Sequence, residues 1–326
     1  MGYSEQVLRR ARERLQQAKE ENARENEQHR AQAYARYPRL EEIDRELRRT
    51  MAQLMANVMR QGEDLFKSIA QLREENLALQ RERSWILEAG ELDLDDAPIC
   101  SKCGGSGYVG SQMCACLREL CRQEQKKALT VLLGSGRESF DSFRLHYYSD
   151  EYQPALGTSP RKLMQAIFNI CRRYANSFSL DSENLLFSGA TGLGKTFLSA
   201  CIARQVADHG FSVVYDTAVH LFSEFEAEKF AFAQEENRGL TRKYLHCDLL
   251  IIDDLGTEMT TQFTVSALYT IVNQRMMEGR PTIISTNLLP EAIEQRYSPQ
   301  IASRIVGTFR LLQFAGSDIR RLPPER

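Results

Sequence analysis

Two stretches of this 326-residue chain hold residues whose types and spacing suit phosphate chemistry. In the first, Gly189, Ala190, Thr191, Gly192, Leu193, Gly194, Lys195 and Thr196 spell GxxxxGK[ST]. An apolar run at 185–187 precedes the motif and an amphipathic stretch follows it, which is the strand–loop–helix setting the motif requires. Its glycines let backbone N–H groups turn inward around phosphate oxygens, and the following helix start adds positive potential. Lys195 can reach the β- and γ-phosphates of a nucleotide, and Thr196 can bind Mg2+.

The second stretch, LLIIDDLG at 249–256, runs four apolar residues into two aspartates. Asp253 is the expected acceptor for magnesium or its water. Asp254 then stands where a general base polarises the attacking water, or it is a loop or cap residue with no chemical role. Most such hydrolases carry glutamate there. Aspartate is one C–C bond shorter, about 1.5 Å less reach, which should slow hydrolysis without necessarily abolishing it.

Further on, PTIISTNL at 281–288 is another β-rich run, with Asn287 at its tip able to orient the water and Thr286 the weaker choice. Among the arginines after Asn287, Arg304, Arg310, Arg320 and Arg321 are the candidates to complete a neighbouring subunit's site. A third cluster is of another kind. Cys100, Cys103, Cys114 and Cys116 enclose a glycine-rich segment, and CxxC with a nearby second pair suits one tetrahedral, structural Zn2+. Cys121 is a substitute ligand, whereas Cys171, Cys201 and Cys247 lie in apolar contexts and read as core.

The elements that must position these groups fall into two textures. Residues 1–36 are Glu-, Arg- and Gln-rich, either a solvated helix or a frayed arm. Tyr37-Pro38 punctuates them. Leu40, Ile43, Leu47, Met51, Leu54 and Val58 form one stripe, and Gly62 is expected to break that helix. Leu65, Ile69, Leu72, Asn76, Leu79, Arg83 and Ile86 form a heptad-like seam with two polar positions that would fix register. The stripes fit a helical hairpin packing on itself or a platform for another protein's helices.

From about residue 140, short apolar runs alternate with helical stretches, as in an α/β domain with a mostly parallel sheet. Residues 217–247 leave room for two helices, ending near Phe230 and Leu245, with Arg238, Arg242 and Lys243 either touching a phosphate backbone or forming a solvated face. The expected division is a helical region at 1–95, a zinc module at 96–121, a linker at 122–139 and a nucleotide-binding domain at 140–326. A formal net charge of −2 and a pI near 6.3 give no global basic footprint for nucleic acid. No export signal and no long apolar span is visible, so a soluble, cytoplasmic protein without membrane contact is expected.

The chain resembles the bacterial replicative-helicase loaders of the DnaC/DnaI type. FDSFRLHYYSD, GATGLGKTFLSACIA, CDLLIIDDLGTE, GRPTIISTNL and ASRIVGTFRLLQFAGSDIR carry the likeness, from about residue 140 onward. The resemblance implies an AAA+ ATPase of the IstB-like superfamily, without a C-terminal lid, using ATP and Mg2+. In that family an Asp-Asp pair after the second catalytic strand is common. It implies that Arg304 is an interprotomer arginine finger and Arg320 a nucleotide-sensing arginine. It implies an ATP-controlled switch with slow hydrolysis that self-associates through its AAA+ domain. That switch would grip the hexameric replicative helicase through its N-terminal region and load it onto single-stranded DNA. Phe140, Phe143, Tyr147 and Tyr148 would pack near the adenine or simply in the core. The rival readings are a transposition helper ATPase delivering DNA to a transposase, a DNA-binding initiator, and a zinc-bearing adaptor whose nucleotide site is structural.

Overall fold

The computed structural model describes residues 2–58, 64–94, 96–133, 138–230 and 239–321, with the side chains of 57–58, 64–68 and 132–133 left aside. Gly62 and Arg238 lie outside the described residues, as do the side chains of Val58 and Leu65. The chain forms two compact units, one comprising Met1–Arg12 with Ala115–Arg326 and the other Glu13–Cys114.

The larger unit is a three-layer α/β domain. Its sheet contains β3 (Leu185–Ser188), β4 (Val213–Thr217), β5 (Leu249–Leu255), β6 (Thr282–Thr286) and β7 (Arg310–Gln313), in the order β4-β5-β6-β3-β7. Every pairing is parallel. A parallel sheet covered on both faces needs strands apolar on both sides, and the near-continuous runs LLF, LLII and TII supply them. Alternate residues divide between two cores. Leu185, Phe187, Ile251 and Ile283 face the layer that includes α5 (Pro160–Asn176) and α6 (Lys195–Asp208). Leu186, Leu250, Ile252 and Ile284 face α7 (Ala218–Phe230), α8 (Arg242–His246), α9 (Gln262–Met277), α10 (Pro290–Arg296) and α11 (Pro299–Thr308). The expected fold class is borne out.

Two helices that the sequence left vague belong to this unit. Residues 122–139, named a linker but helical in texture at their start, largely continue α4 (Ala115–Leu133), which buries Leu117, Cys121 and Leu129. Gln125 on α4 donates to the Phe211 carbonyl at 2.9 Å and accepts from the Val213 N–H at 2.9 Å, so a side chain caps the start of edge strand β4. The beginning of the chain is also anchored. Tyr3, Val7 and Ala11 are buried, and the Tyr3 hydroxyl donates to the Gly210 carbonyl at 3.1 Å. Burial pushes that phenol up to about 12.

Arg275 on α9 is fully buried, and among the described residues its hydrogen bonds go to carbonyls, a hydroxyl and a thiol. It donates to the carbonyls of Tyr244, Leu245, Cys247 and Pro281 and to the Thr282 hydroxyl. It thereby satisfies the free carbonyls at the C-terminal end of α8 and joins α8 to β6.

The smaller unit holds most of α1 (Glu5–Arg36), then α2 (Pro38–Val58) and α3 (Asp64–Ala89). Tyr37 separates α1 from α2, as its Tyr-Pro signature predicts. The polar seam positions are paired across α2 and α3: Asn76 donates to the Thr50 hydroxyl at 2.8 Å, and Arg83 to Asp44 at 2.7 Å. The pairs run in opposite chain directions, so the two helices form an antiparallel hairpin packing on itself. Each such pair penalises a one-turn slip, which would leave a part-buried polar group unpartnered.

Candidate ATP-binding and metal sites

The phosphate loop leaves the C-terminal end of β3 and enters α6 at Gly194, whose φ of 87° is open chiefly to glycine. A Cβ there would meet the Tyr148 hydroxyl at 2.9 Å. At Gly192, with φ 75°, a Cβ would fall 1.7 Å from the Asp318 carboxylate. The loop is therefore held from two sides. Tyr148 donates to the Leu193 carbonyl at 2.9 Å, and Ile319 donates to the Gly192 carbonyl at 3.0 Å. Lys195 is buried, its ammonium donating to the Gly189 and Ala190 carbonyls at 2.7 Å each. Burial pulls its pKa down, while Asp254 and Asp253 oppose the fall.

A cavity of about 700 Å³ opens beside this loop. Thr191 through Thr196 line it together with Asp253, Asp254 and Arg320. Gly189 and Ala190 stand at the loop's start, joined to it through Lys195. The cradle, the buried lysine and the two carboxylates fit a nucleotide triphosphate with Mg2+ at Thr196 and Asp253.

How two consecutive strand residues reach one cavity is set by an irregularity in β5. Ile252 pairs with Ile284 and Leu255 with Thr286, so Asp253 and Asp254 together oppose Ser285 alone. This is a β-bulge. Asp254 takes φ 54°, in the left-handed region that aspartate tolerates better than most residues. Regular alternation would have sent the two carboxylates to opposite faces. Asp253 is buried and accepts from the Tyr215 hydroxyl at 2.5 Å and from the Ser285 hydroxyl. Asp254 is exposed to the cavity. Partial burial, then the neighbouring Asp253 charge, push its pKa up, with Lys195 and Arg320 opposing.

Other sequence candidates are placed elsewhere. Asn287 follows β6, is exposed, and lies beside Gly256 instead of lining the cavity. Thr286 is buried and donates to the Leu255 carbonyl at 2.6 Å, a sheet contact. Arg310 pairs with Glu183 at 2.7 Å and Arg321 with Asp318 at 3.5 Å. Arg304 on α11 is outside the cavity, donating to Asn273 Oδ1 and the Tyr269 hydroxyl at 3.0 Å each. Lys243 pairs with Glu224 at 2.7 Å, whereas Arg242 is exposed. The aromatic cluster packs on the loop from behind. Phe143 stacks on Tyr148 and Phe168, and the aromatic rings lining the cavity are instead Phe197 and Tyr215.

Tyr215, Ser285, Phe197 and His220 are site neighbours that sequence reasoning missed. For Ser285 a signal existed: strand alternation puts it on the same face as Ile283, toward the phosphate loop.

In the cysteine cluster, the four sulfurs of Cys100, Cys103, Cys114 and Cys116 lie within 4.8 Å of one another, with Cys100 and Cys114 3.9 Å apart. A Zn–S length of about 2.3 Å in tetrahedral geometry requires sulfurs roughly 3.8 Å apart, so the four could hold one zinc ion. The Gly107 N–H points at Cys103 Sγ, 3.3 Å away, from the tight turn leading into the hairpin of β1 (Tyr108–Val109) and β2 (Gln112–Met113). Cys121 is not in the cluster, and burial raises its thiol to about 11. Elemental analysis of the purified protein is expected to find about one zinc per chain, lost in Cys103→Ser. Unchanged zinc content in that variant would rule the cluster out.

Fold and cavity together define a parallel α/β domain with a phosphate loop suited to a nucleotide. Residues 163–307 match the family described as IstB-like ATP binding protein. The replicative helicase loader DnaC of Buchnera aphidicola (subsp. Acyrthosiphon pisum, strain APS) is 23% identical over 167 residues, which is 51% of this chain and 62% of that protein. The replicative helicase loader DnaC of Escherichia coli (strain K12) is 26% identical over 134 residues, 41% of this chain and 54% of that protein. A solved structure described as the DnaC helicase loader superposes with a TM-score of 0.45 at 19% identity, covering 55% of this chain and 97% of that one. The sequence matches bear out the resemblance to proteins of the DnaC type. This chain spans less than two thirds of the length of these curated relatives. Among the described residues, no helix is long and apolar enough to cross a membrane.

Proposed function

We propose that the protein is an ATP-controlled loader of a replicative DNA helicase, acting on single-stranded DNA during the initiation of replication. The observation that carries the reading is the single cavity shared by the phosphate loop, Lys195, Asp253, Asp254 and Arg320, in a chain similar to proteins named replicative helicase loader DnaC. Loop amides and Lys195 bind the triphosphate. Thr196 and Asp253 hold the metal, which when bound offsets charge on the phosphates. Asp254 accepts a proton from the attacking water, and Asn287, which lies outside the cavity, has no part in that step. Arg320 meets the phosphates, and Arg304 reaches a neighbouring copy's nucleotide, so that ATP holds copies together. Hydrolysis then releases them. The helical unit and the zinc module ahead of the ATPase domain are the surfaces offered to the hexameric helicase.

A second reading, carried by the resemblance to IstB-like ATP binding proteins, is a transposition helper that hands DNA to a transposase. Affinity capture with the full chain decides between them. The loader reading expects the replicative helicase to copurify with ATP and to be loaded onto single-stranded circular DNA. Capture of a transposase without the helicase would overturn it.

A further inference from the structure

The bulge in β5 creates a problem that one hydroxyl solves. Where two residues of one strand oppose a single residue of its neighbour, the extra N–H loses its place in the ladder. Here that N–H belongs to Asp254, and it donates to Ser285 Oγ at 3.0 Å. The same Ser285 hydroxyl donates its own proton to Asp253 Oδ1. A serine hydroxyl has one proton to give and lone pairs to accept with, so both demands are met by one atom. Ser285 is fully buried, and strand β6 flanked by β3 and β5 fixes its backbone. The second oxygen of Asp253 accepts from Tyr215.

We infer that Ser285 is a positioning residue for ATP hydrolysis: its single hydroxyl bridges the two aspartates, fixing the carboxylate of Asp253 and the left-handed backbone of Asp254 together. The inference rests on the ATPase reading proposed above. It acts through those two residues and not on the nucleotide, since the hydroxyl is spent on both. Alanine would remove the bridge and leave the Asp254 N–H without its acceptor. Threonine keeps the hydroxyl and suits a strand.

The test compares wild type, Ser285→Ala, Ser285→Thr and Lys195→Ala as full-length proteins, with thermal midpoints checked. ATP affinity is read with a fluorescent ATP analogue and turnover by phosphate release at saturating ATP and over a Mg2+ titration. Ser285→Ala is expected to lose about 10-fold or more in kcat and to need more Mg2+, with nucleotide affinity unchanged. Ser285→Thr is expected to stay within a few-fold of wild type. Normal turnover in Ser285→Ala overturns the inference. So does a parallel fall of kcat and affinity, or a failure of threonine to restore turnover, since either points to a merely structural serine. Wild type no faster than Lys195→Ala would instead sink the ATPase reading, and the inference with it.

Discussion

Asp254→Ala is expected to lower ATP turnover by about 10²- to 10⁴-fold while leaving ATP affinity intact, whereas Lys195→Ala weakens binding as well. The separation follows from where the groups stand. Lys195 is tied to the loop carbonyls that shape the phosphate cradle. Asp254 touches the cavity from the far strand and makes no contact with the loop's backbone among its described hydrogen bonds. A pH dependence accompanies the same residue. Burial and the Asp253 charge place the Asp254 pKa above its ordinary 3.8. A base works only when ionised, so turnover should fall as pH drops through that raised value, at a higher pH than an unperturbed aspartate would give. A kcat–pH profile reads this limb directly. The bulge adds a sharper expectation. Glutamate is the commoner residue at this position in such enzymes, yet Asp254→Glu should hydrolyse more slowly than wild type. At φ 54° the longer side chain is poorly accommodated, and its carboxylate would overshoot a backbone already turned toward the cavity. Faster turnover in Asp254→Glu would mean that reach, and not backbone geometry, limits the enzyme.

Most of this site was legible because it obeys local rules. The phosphate loop is a contiguous motif with its own strand and helix, and apolar runs on β3, β5 and β6 announced a sheet covered on both faces. Asp253 and Asp254 were legible as residues of one site, but the bulge that brings both to one cavity was not, because it depends on the register of two strands about 30 residues apart in sequence. The face of Ser285 followed from alternation, but its place opposite both aspartates was hidden for the same reason. The role of Gln125 could not be read because its partners lie on a distant strand, so the helical texture of the segment did not reveal that α4 packs on the start of β4. Conversely, Asn76 and Arg83 stood out on the seam of α3 because a polar residue in an apolar stripe needs a partner, and Thr50 and Asp44 provide them. The aromatic run at 140–148 carried a bias of another kind. Rings next to a nucleotide motif suggest base stacking, but Phe143 and Tyr148 support the loop from its protein side.

Arg304→Ala is expected to cost about 10³-fold in turnover, and activity should return when it is mixed with Asp254→Ala. Arg304 lies on α11 and does not line the cavity that holds Lys195, so a direct role in its own subunit's chemistry is not what its position offers. Its guanidinium lies 4.7 Å above the Tyr269 ring, while Nε and Nη2 are held by Asn273 and the Tyr269 hydroxyl. A flexible side chain is thus given a fixed direction by α9, which lowers the ordering cost of meeting a phosphate from another copy. In a head-to-tail assembly each interface joins one subunit's cavity to the next subunit's arginine. Random mixing of the two inactive variants leaves about a quarter of the interfaces with an intact Asp254 and an intact Arg304, so partial recovery is the signature of a trans arrangement. Two cis defects would give none. Lysine should not replace Arg304, since a point charge neither stacks on Tyr269 nor spans the two acceptors as a planar fork does. The measurement is phosphate release across mixing ratios at a total concentration that supports self-association. A bell-shaped curve peaking at equal parts places Arg304 in the neighbour's site, and a flat line at background places its effect within one chain.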